Sequence, residues 1–255
     1  MITRVTPVSH PFEDSALNFP VETAPTLYYV ICSTPRSGSS FLARELWRTG
    51  ACGAPHEYFN YYSVMWRLSA RLGTASLHDY ARRVLALRTG PNGVFGFKAH
   101  LEHFLFFSAL TGLAQRYQPM KYIMIEREDL AAQAVSYVMA RETGQWFAGQ
   151  PAREAPPYDR QMIDEAVLEL KRANAAWNNL FKQASAQPLR LGYEAICADV
   201  AGAVRQSLAH LGIDAAAVPP IEHLPAAERQ DNPLKAEWLA RYRAETAGQG
   251  SSAAG

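Results

Sequence analysis

An unbroken apolar run, Leu27-Tyr28-Tyr29-Val30-Ile31-Cys32-Ser33, passes into Thr34-Pro35-Arg36-Ser37-Gly38-Ser39-Ser40, and Phe41 to Arg48 then carries a helical pattern. β-Branched and aromatic residues over this length predict a strand. The run does not alternate polar with apolar, so both faces need cover, as in a central strand of a parallel sheet. A strand that turns through Gly and Ser into a helix aims several backbone N–H groups, and the positive end of the helix, at one point. That is a seat for an anion. Gly38 lets the backbone approach closely, the hydroxyls of Ser37, Ser39 and Ser40 add donors, and Arg36 can grip two oxygens of one group in a fork. Taken alone, the segment also reads as a Ser-rich helix cap. It lacks the leading Gly and the Lys of the Gly-x-x-x-x-Gly-Lys-Ser/Thr motif. No acidic strand end offers a magnesium ligand, so a phosphate-sized anion handled without a divalent metal is expected.

The rest of the chain repeats the strand–helix theme. Helical patterns at Tyr61 to Leu72 and Leu77 to Arg88 precede a strand at Gly93 to Ala99 and a helix at Leu101 to Tyr117. A third strand, Lys121 to Ile125, leads directly into a helix at Asp129 to Arg141. After a Pro- and Gly-bearing loop, Phe147 to Tyr158, come a long helix near Gln161 to Ala184, a short strand at Leu189 to Leu191 and a helix at Asp199 to Leu211. Beyond Pro219-Pro220 a last helix is read at Pro233 to Arg243. Such alternation predicts an α/β fold, a central mostly parallel sheet flanked by helices. Ligands in these folds bind beyond the C-terminal ends of the strands, so the loops after Ser33, Ala99 and Ile125 should share one rim. The expected organisation is an irregular lead-in over 1–26, one domain over 27–243 and a flexible tail over 244–255, with no internal repeat.

Bulk properties narrow the function. Lys and Arg number 25 against 24 Asp and Glu, so any anion site must be local, and nucleic acid is not an expected partner. Cys32, Cys52 and Cys197 form neither a disulfide framework nor a zinc-spaced set, which suits the cytoplasm. No signal peptide and no apolar run of about eighteen residues is read. His100 and His103 with Glu102 have helical spacing but lack a convincing third ligand, so no metal is expected. Phe104, Phe106 and Phe107 read as core.

The third strand ends in Ile125-Glu126-Arg127-Glu128-Asp129, and Gln133-Ala134-Val135-Ser136-Tyr137 follows on its helix. If the chain folds back at Asp129, Arg127 and Ser136 reach a second anion near the first. With Thr34 to Ser40, these segments resemble the 5′-phosphosulfate loop and 3′-phosphate-binding strand–helix of the sulfotransferase superfamily. The bacterial trehalose 2-sulfotransferase family, with its lipopolysaccharide and nodulation-factor relatives, is similar over further pieces. These are Gly50 to Phe59, Asn92 to Lys98, Glu228-Arg229-Gln230 and Trp238 to Arg243. The resemblance implies a fold related to nucleotide kinases and 3′-phosphoadenosine-5′-phosphosulfate (PAPS) as donor. It also implies a carbohydrate or glycolipid acceptor, a homodimer and an acidic catalytic base in Pro55-His56-Glu57-Tyr58-Phe59.

On that footing Arg36, the loop N–H groups and Lys98 would stabilise charge on the sulfonate and the departing phosphate. Arg127 and Ser136 would clamp the 3′-phosphate. Glu57 is the expected general base, with partial burial raising its pKa toward working pH, and His56 is its competitor. The loop 147–158 carries no readable acceptor signature. The rival readings are a kinase-like phosphotransferase, which the missing Lys and metal ligands oppose, and a silent nucleotide- or carbohydrate-binding module.

Overall fold

A computed structural model describes residues 15–112, 120–147, 150–218 and 232–250. Its core is a four-stranded sheet of strands β1 (Leu27–Cys32), β2 (Val94–Ala99), β3 (Met120–Glu126) and β4 (Leu189–Gly192), in the order β2-β1-β3-β4. Every pairing is parallel, and the apolar run of β1 is central, as expected. Successive side chains of a strand leave on opposite faces. Tyr28, Val30 and Cys32 therefore join one core with Phe95, Phe97 and Trp177, while Tyr29 and Ile31 join another with Leu42 and Leu46. This explains why β1 shows no polar alternation.

The helices are α1 (Ser39–Arg48), α2 (Val64–Leu72), α3 (Leu77–Arg88), α4 (Leu101–Thr111) and α5 (Leu130–Thr143). They continue with α6 (Arg160–Gln183), α7 (Tyr193–Ala198), α8 (Val200–Leu211) and α9 (Pro233–Gly250). Sequence signals set several starts: Ser76, Asp129, Asp159 and Asp199 each cap the helix that follows by accepting from its first turn. A third core between α5, α6 and α9 holds Val138, Ile163, Leu170, Trp238 and Tyr242. Phe104 and Phe107 are buried, as read.

Gly96 is required by packing. It pairs with Tyr29 across β1 and β2, and an added Cβ would lie 2.2 Å from the Tyr29 ring. That ring lies flat across β2 and donates its hydroxyl to the Cys52 carbonyl at 2.9 Å.

The ends of elements differ from expectation in two informative places. The short α7 was not anticipated. The last helix runs past Arg243 to Gly250, because Tyr158 donates to Glu245 at 2.9 Å and Tyr242 to Asp164 at 2.7 Å, tying its Gly-containing end to the body. Most of the lead-in, the end of the helix read to Tyr117, Pro219-Pro220, Glu228-Arg229-Gln230 and residues 251–255 lie outside the described residues. Among those described, no helix is long and apolar enough to cross a membrane.

Candidate active site

Parallel pairing places Cys32 beside both Ala99 and Met124, so the loops leaving β1, β2 and β3 open on one rim, and β4 adds the start of α7. The loop after β1 is pinned from the helices around it. Trp177 Nε1 donates to the Ser33 carbonyl at 3.1 Å. The buried Gln133 amide donates to Thr34 Oγ1 at 2.9 Å and to the Pro35 carbonyl at 2.7 Å. Thus held, Arg36 sits at φ 61, a left-handed conformation that costs a non-Gly residue energy and recurs where backbone is shaped for a ligand. Gly38 follows at φ 87 as the residue before α1, and a Cβ there would strike the Tyr193 ring at 2.4 Å. No side chain caps α1, and the buried Ser37 Oγ has no hydrogen-bond partner among the described residues. A helix start with no side-chain cap, beside such a hydroxyl, has donors to spare.

The second constellation meets the first. Arg36 Nε donates to Ser136 Oγ at 3.0 Å, and its NH1 donates to the Trp146 carbonyl at 2.6 Å. Arg127 lies over the Tyr193 ring, 4.6 Å from its centroid, with Nε 3.8 Å from Glu194 Oε1. Glu194 is turned toward the backbone as well, accepting from the N–H groups of Glu128 and Asp129 at 3.2 and 3.4 Å. Arg127 is therefore paired from across the rim, not with its neighbour Glu128. Lys235, at the start of α9, completes a cluster of three cations. Its burial, followed by the charges of Arg36 and Arg127, brings its pKa down to about 8. The Arg36 guanidinium is likewise pushed down, by burial and then by Arg127. Arg127 acts on Arg36, and both act on Lys235, so the cluster favours an anion.

Lys98 and Glu57 form the reactive-looking part of the rim. Lys98 Nζ reaches Glu57 Oε1 at 2.6 Å and Ser40 Oγ at 2.7 Å, and the ammonium's side chain is only 5% exposed. This lysine is no solvated surface residue. Asn60 Nδ2 donates to Glu57 Oε2 at 3.1 Å, and His100 Nε2 lies 3.9 Å from Glu57 Oε1. The expected upward shift of the Glu57 pKa is overturned. Burial does push it up, but the Lys98 charge, then His100 and the hydrogen bonds from Lys98 and Asn60, outweigh burial and hold the carboxyl well below the usual range. The His100 imidazole is itself pushed down, since burial lowers its pKa more than Glu57 raises it.

His56 stands differently from its neighbour. Its carbonyl accepts from the Lys98 N–H at 3.0 Å in a bridge to β2, and its ring packs edge-on to Tyr58. This bridge is what aims Glu57 at Lys98, one residue further along. The structure thus gathers Arg36, Ser37, Gly38, Ser40, Lys98, Glu57, Arg127 and Ser136 on one rim, with Ser39 buried at the start of α1. The sequence reading missed Lys235, Tyr193, Gln133 and His100 in this role. Gln133 and His100 carried a signal, since each stands within a few residues of a chosen site residue at a strand or helix end. Lys235 carried none.

The family model of the Stf0 sulphotransferases matches residues 28–245 of the chain. The trehalose 2-sulfotransferase of Mycobacterium tuberculosis (strain ATCC 35801 / TMC 107 / Erdman) is 25% identical over 85% of this chain and 94% of its own. That of Mycolicibacterium smegmatis (strain ATCC 700084 / mc(2)155) is 27% identical over 86% and 95%. Among solved structures, the sulfotransferase domain of the Synechococcus PCC 7002 olefin synthase is similar with a TM-score of 0.45 and 15% identity, covering 88% of this chain and 97% of that one.

Proposed function

The chain belongs to the Stf0 sulphotransferase family, and on that premise we propose that it transfers a sulfuryl group from PAPS to a hydroxyl of a carbohydrate. The observation that carries this reading is the Arg36–Ser136 hydrogen bond of 3.0 Å, which brings the loop after β1 and helix α5 together on one rim and supports two neighbouring anion positions there. A donor with a 5′-phosphosulfate and a 3′-phosphate presents two such anions on one sugar. Ser37, Gly38, Ser39 and Ser40 with Arg36 are assigned to the first. Arg127 and Ser136 are assigned to the second, with Lys235 beside them. The carbohydrate is taken from the names of the two mycobacterial relatives, which act on trehalose. The free thiols of Cys32, Cys52 and Cys197 suit a reducing compartment, and the cytoplasm is the one assigned.

The donor supplies an activated sulfur that an alcohol oxygen can attack in line, breaking the bond to the 5′-phosphate oxygen. The protein's work is positioning, charge stabilisation and removal of the alcohol proton. Glu57 takes that proton. While paired with Lys98 it is ionised but only weakly basic. Lys98 already spans Glu57 and Ser40 at the head of α1, so its ammonium needs only a small swing to face an anion in the loop. When it does, the Lys98 hold on Glu57 weakens while His100 and Asn60 stay in place, and the carboxylate becomes a stronger base as the reacting anion arrives.

Glu57→Gln tests this assignment. It keeps the size and an acceptor for Lys98 but cannot take a proton. Calorimetry with 3′-phosphoadenosine 5′-phosphate should show near-wild-type binding. Turnover of radiolabelled PAPS against a panel of sugars should fall by roughly 10²–10⁴, the usual worth of a positioned base. His56→Ala should be milder. A Glu57→Gln enzyme with wild-type turnover removes Glu57 from the chemistry.

A further inference from the structure

Beside Glu57, on the outer side of the rim, His100, Glu102 and His103 converge so that one ligand atom from each lies within 4.8 Å of the others. Glu102 Oε1 faces both imidazoles, 3.8 Å from His100 Nδ1 and 3.9 Å from His103 Nε2. The juxtaposition depends on a local break in geometry. His100 is the extended residue before α4, and the other two stand in its first turn, so all three turn to the same side.

His103 makes the cluster more than a charged surface. Its side chain is only 3% exposed, yet neither ring nitrogen has a hydrogen-bond partner among the described residues. A buried imidazole left without partners is costly, and the Tyr61 and Tyr62 rings, at 5.6 and 6.1 Å, hold it facing Glu102. His100 adds a second sign. One of its nitrogens faces the cluster and the other faces a carboxylate, Glu57, at 3.9 Å. Ligating histidines characteristically present their second nitrogen to a carboxylate in this way.

We propose that His100, Glu102 and His103 bind a divalent cation of the zinc class. Two nitrogens and one carboxylate oxygen suit zinc far better than magnesium or calcium, which take oxygen shells. Ligands of a tetrahedral zinc stand about 3.4 Å apart, so the Glu102 oxygen has to close on each imidazole by about half an ångström. Glu102 is half exposed and free to move that far. Three protein ligands leave a fourth position for water, the pattern of an exchangeable ion and not of a closed structural one.

The test uses the full chain, stripped of metal with a chelator. Titration calorimetry with Zn²⁺ should give one site per chain, Co²⁺ should give the visible ligand-field band of a four-coordinate ion, and millimolar Mg²⁺ should not compete. His103→Ala should weaken Zn²⁺ binding by about a hundredfold, and Glu102→Gln, at a half-exposed position that does not threaten folding, by about tenfold. Absence of a one-to-one site, or binding that survives both substitutions, overturns the site.

Discussion

Lys235 shows how much of this site is decided by what its charges do to one another. Burial and two guanidiniums lower its pKa from 10.5 to about 8. An anion placed between the three cations reverses their repulsion and restores the proton. Around pH 8 to 9, binding of 3′-phosphoadenosine 5′-phosphate should therefore take up a proton, about half of one near the unbound pKa, and affinity should decline as pH rises past 8. Calorimetry in buffers of different ionisation enthalpy measures the uptake directly, and Lys235→Met should remove it. Equal uptake in both proteins would place Lys235 outside the site. At this scale the sequence was legible where a residue's place on the rim follows from its neighbours in the chain. Arg36, Ser37 and Gly38 were placed there by one loop, and Arg127 and Ser136 by one strand–helix turn. The protonation of Glu57 was not legible, because the burial that raises its pKa is local knowledge. The Lys98 that lowers it arrives from another strand.

Elements position these residues through single long-range bonds. Helix α6 gave a clear helical pattern, yet nothing in that pattern says that Trp177 reaches past α6 to the Ser33 carbonyl at the end of β1. Trp177→Phe keeps an aromatic ring in a fully buried place and deletes that donor, leaving the Ser33 carbonyl unsatisfied. The expected cost is about 1–3 kcal/mol, seen as a lower urea midpoint with an unchanged slope. Because Ser33 is the last residue before the anion loop, affinity for the nucleotide should fall too. A lower midpoint with full affinity would mean that Gln133, bonded to Thr34 and Pro35, holds the loop without help. The strands were readable because β1 and β3 are apolar runs closed by turn residues. The brief α7 was not, since six residues after a glycine carry too little periodicity to separate a helix from a turn. It brings in Tyr193 and Glu194, one roofing Gly38 and the other pairing Arg127.

For the molecule as a whole, an all-parallel sheet sends every strand's C-terminal end to the same side, so unfavourable features collect on one rim while three cores hold the body. That much followed from the alternating order of elements. What could not follow is that α9 folds back so that Lys235 stands beside Arg36 and Arg127, fixed by the Arg243–Asp129 ion pair at 2.6 Å, Trp238 and Tyr242. The rim therefore carries crowded cations, a left-handed Arg36 and a Ser37 hydroxyl with no partner among the described residues. A nucleotide that relieves these should stabilise the entire chain. At a hundred times its dissociation constant, 3′-phosphoadenosine 5′-phosphate contributes about 2.7 kcal/mol. For a chain of this size that is a rise in Tm of about 5–11 °C. ATP, which lacks the 3′-phosphate, should raise it less at equal concentration. Lys235→Met sharpens the test because its two effects have opposite signs. Removing a part-buried cation that repels its neighbours should leave the unliganded Tm at or above the wild-type value, while the rise on adding nucleotide shrinks. An unliganded Tm that drops, together with an undiminished rise, would show that Lys235 serves the packing of α9 and that the rim stores no strain for the donor to release.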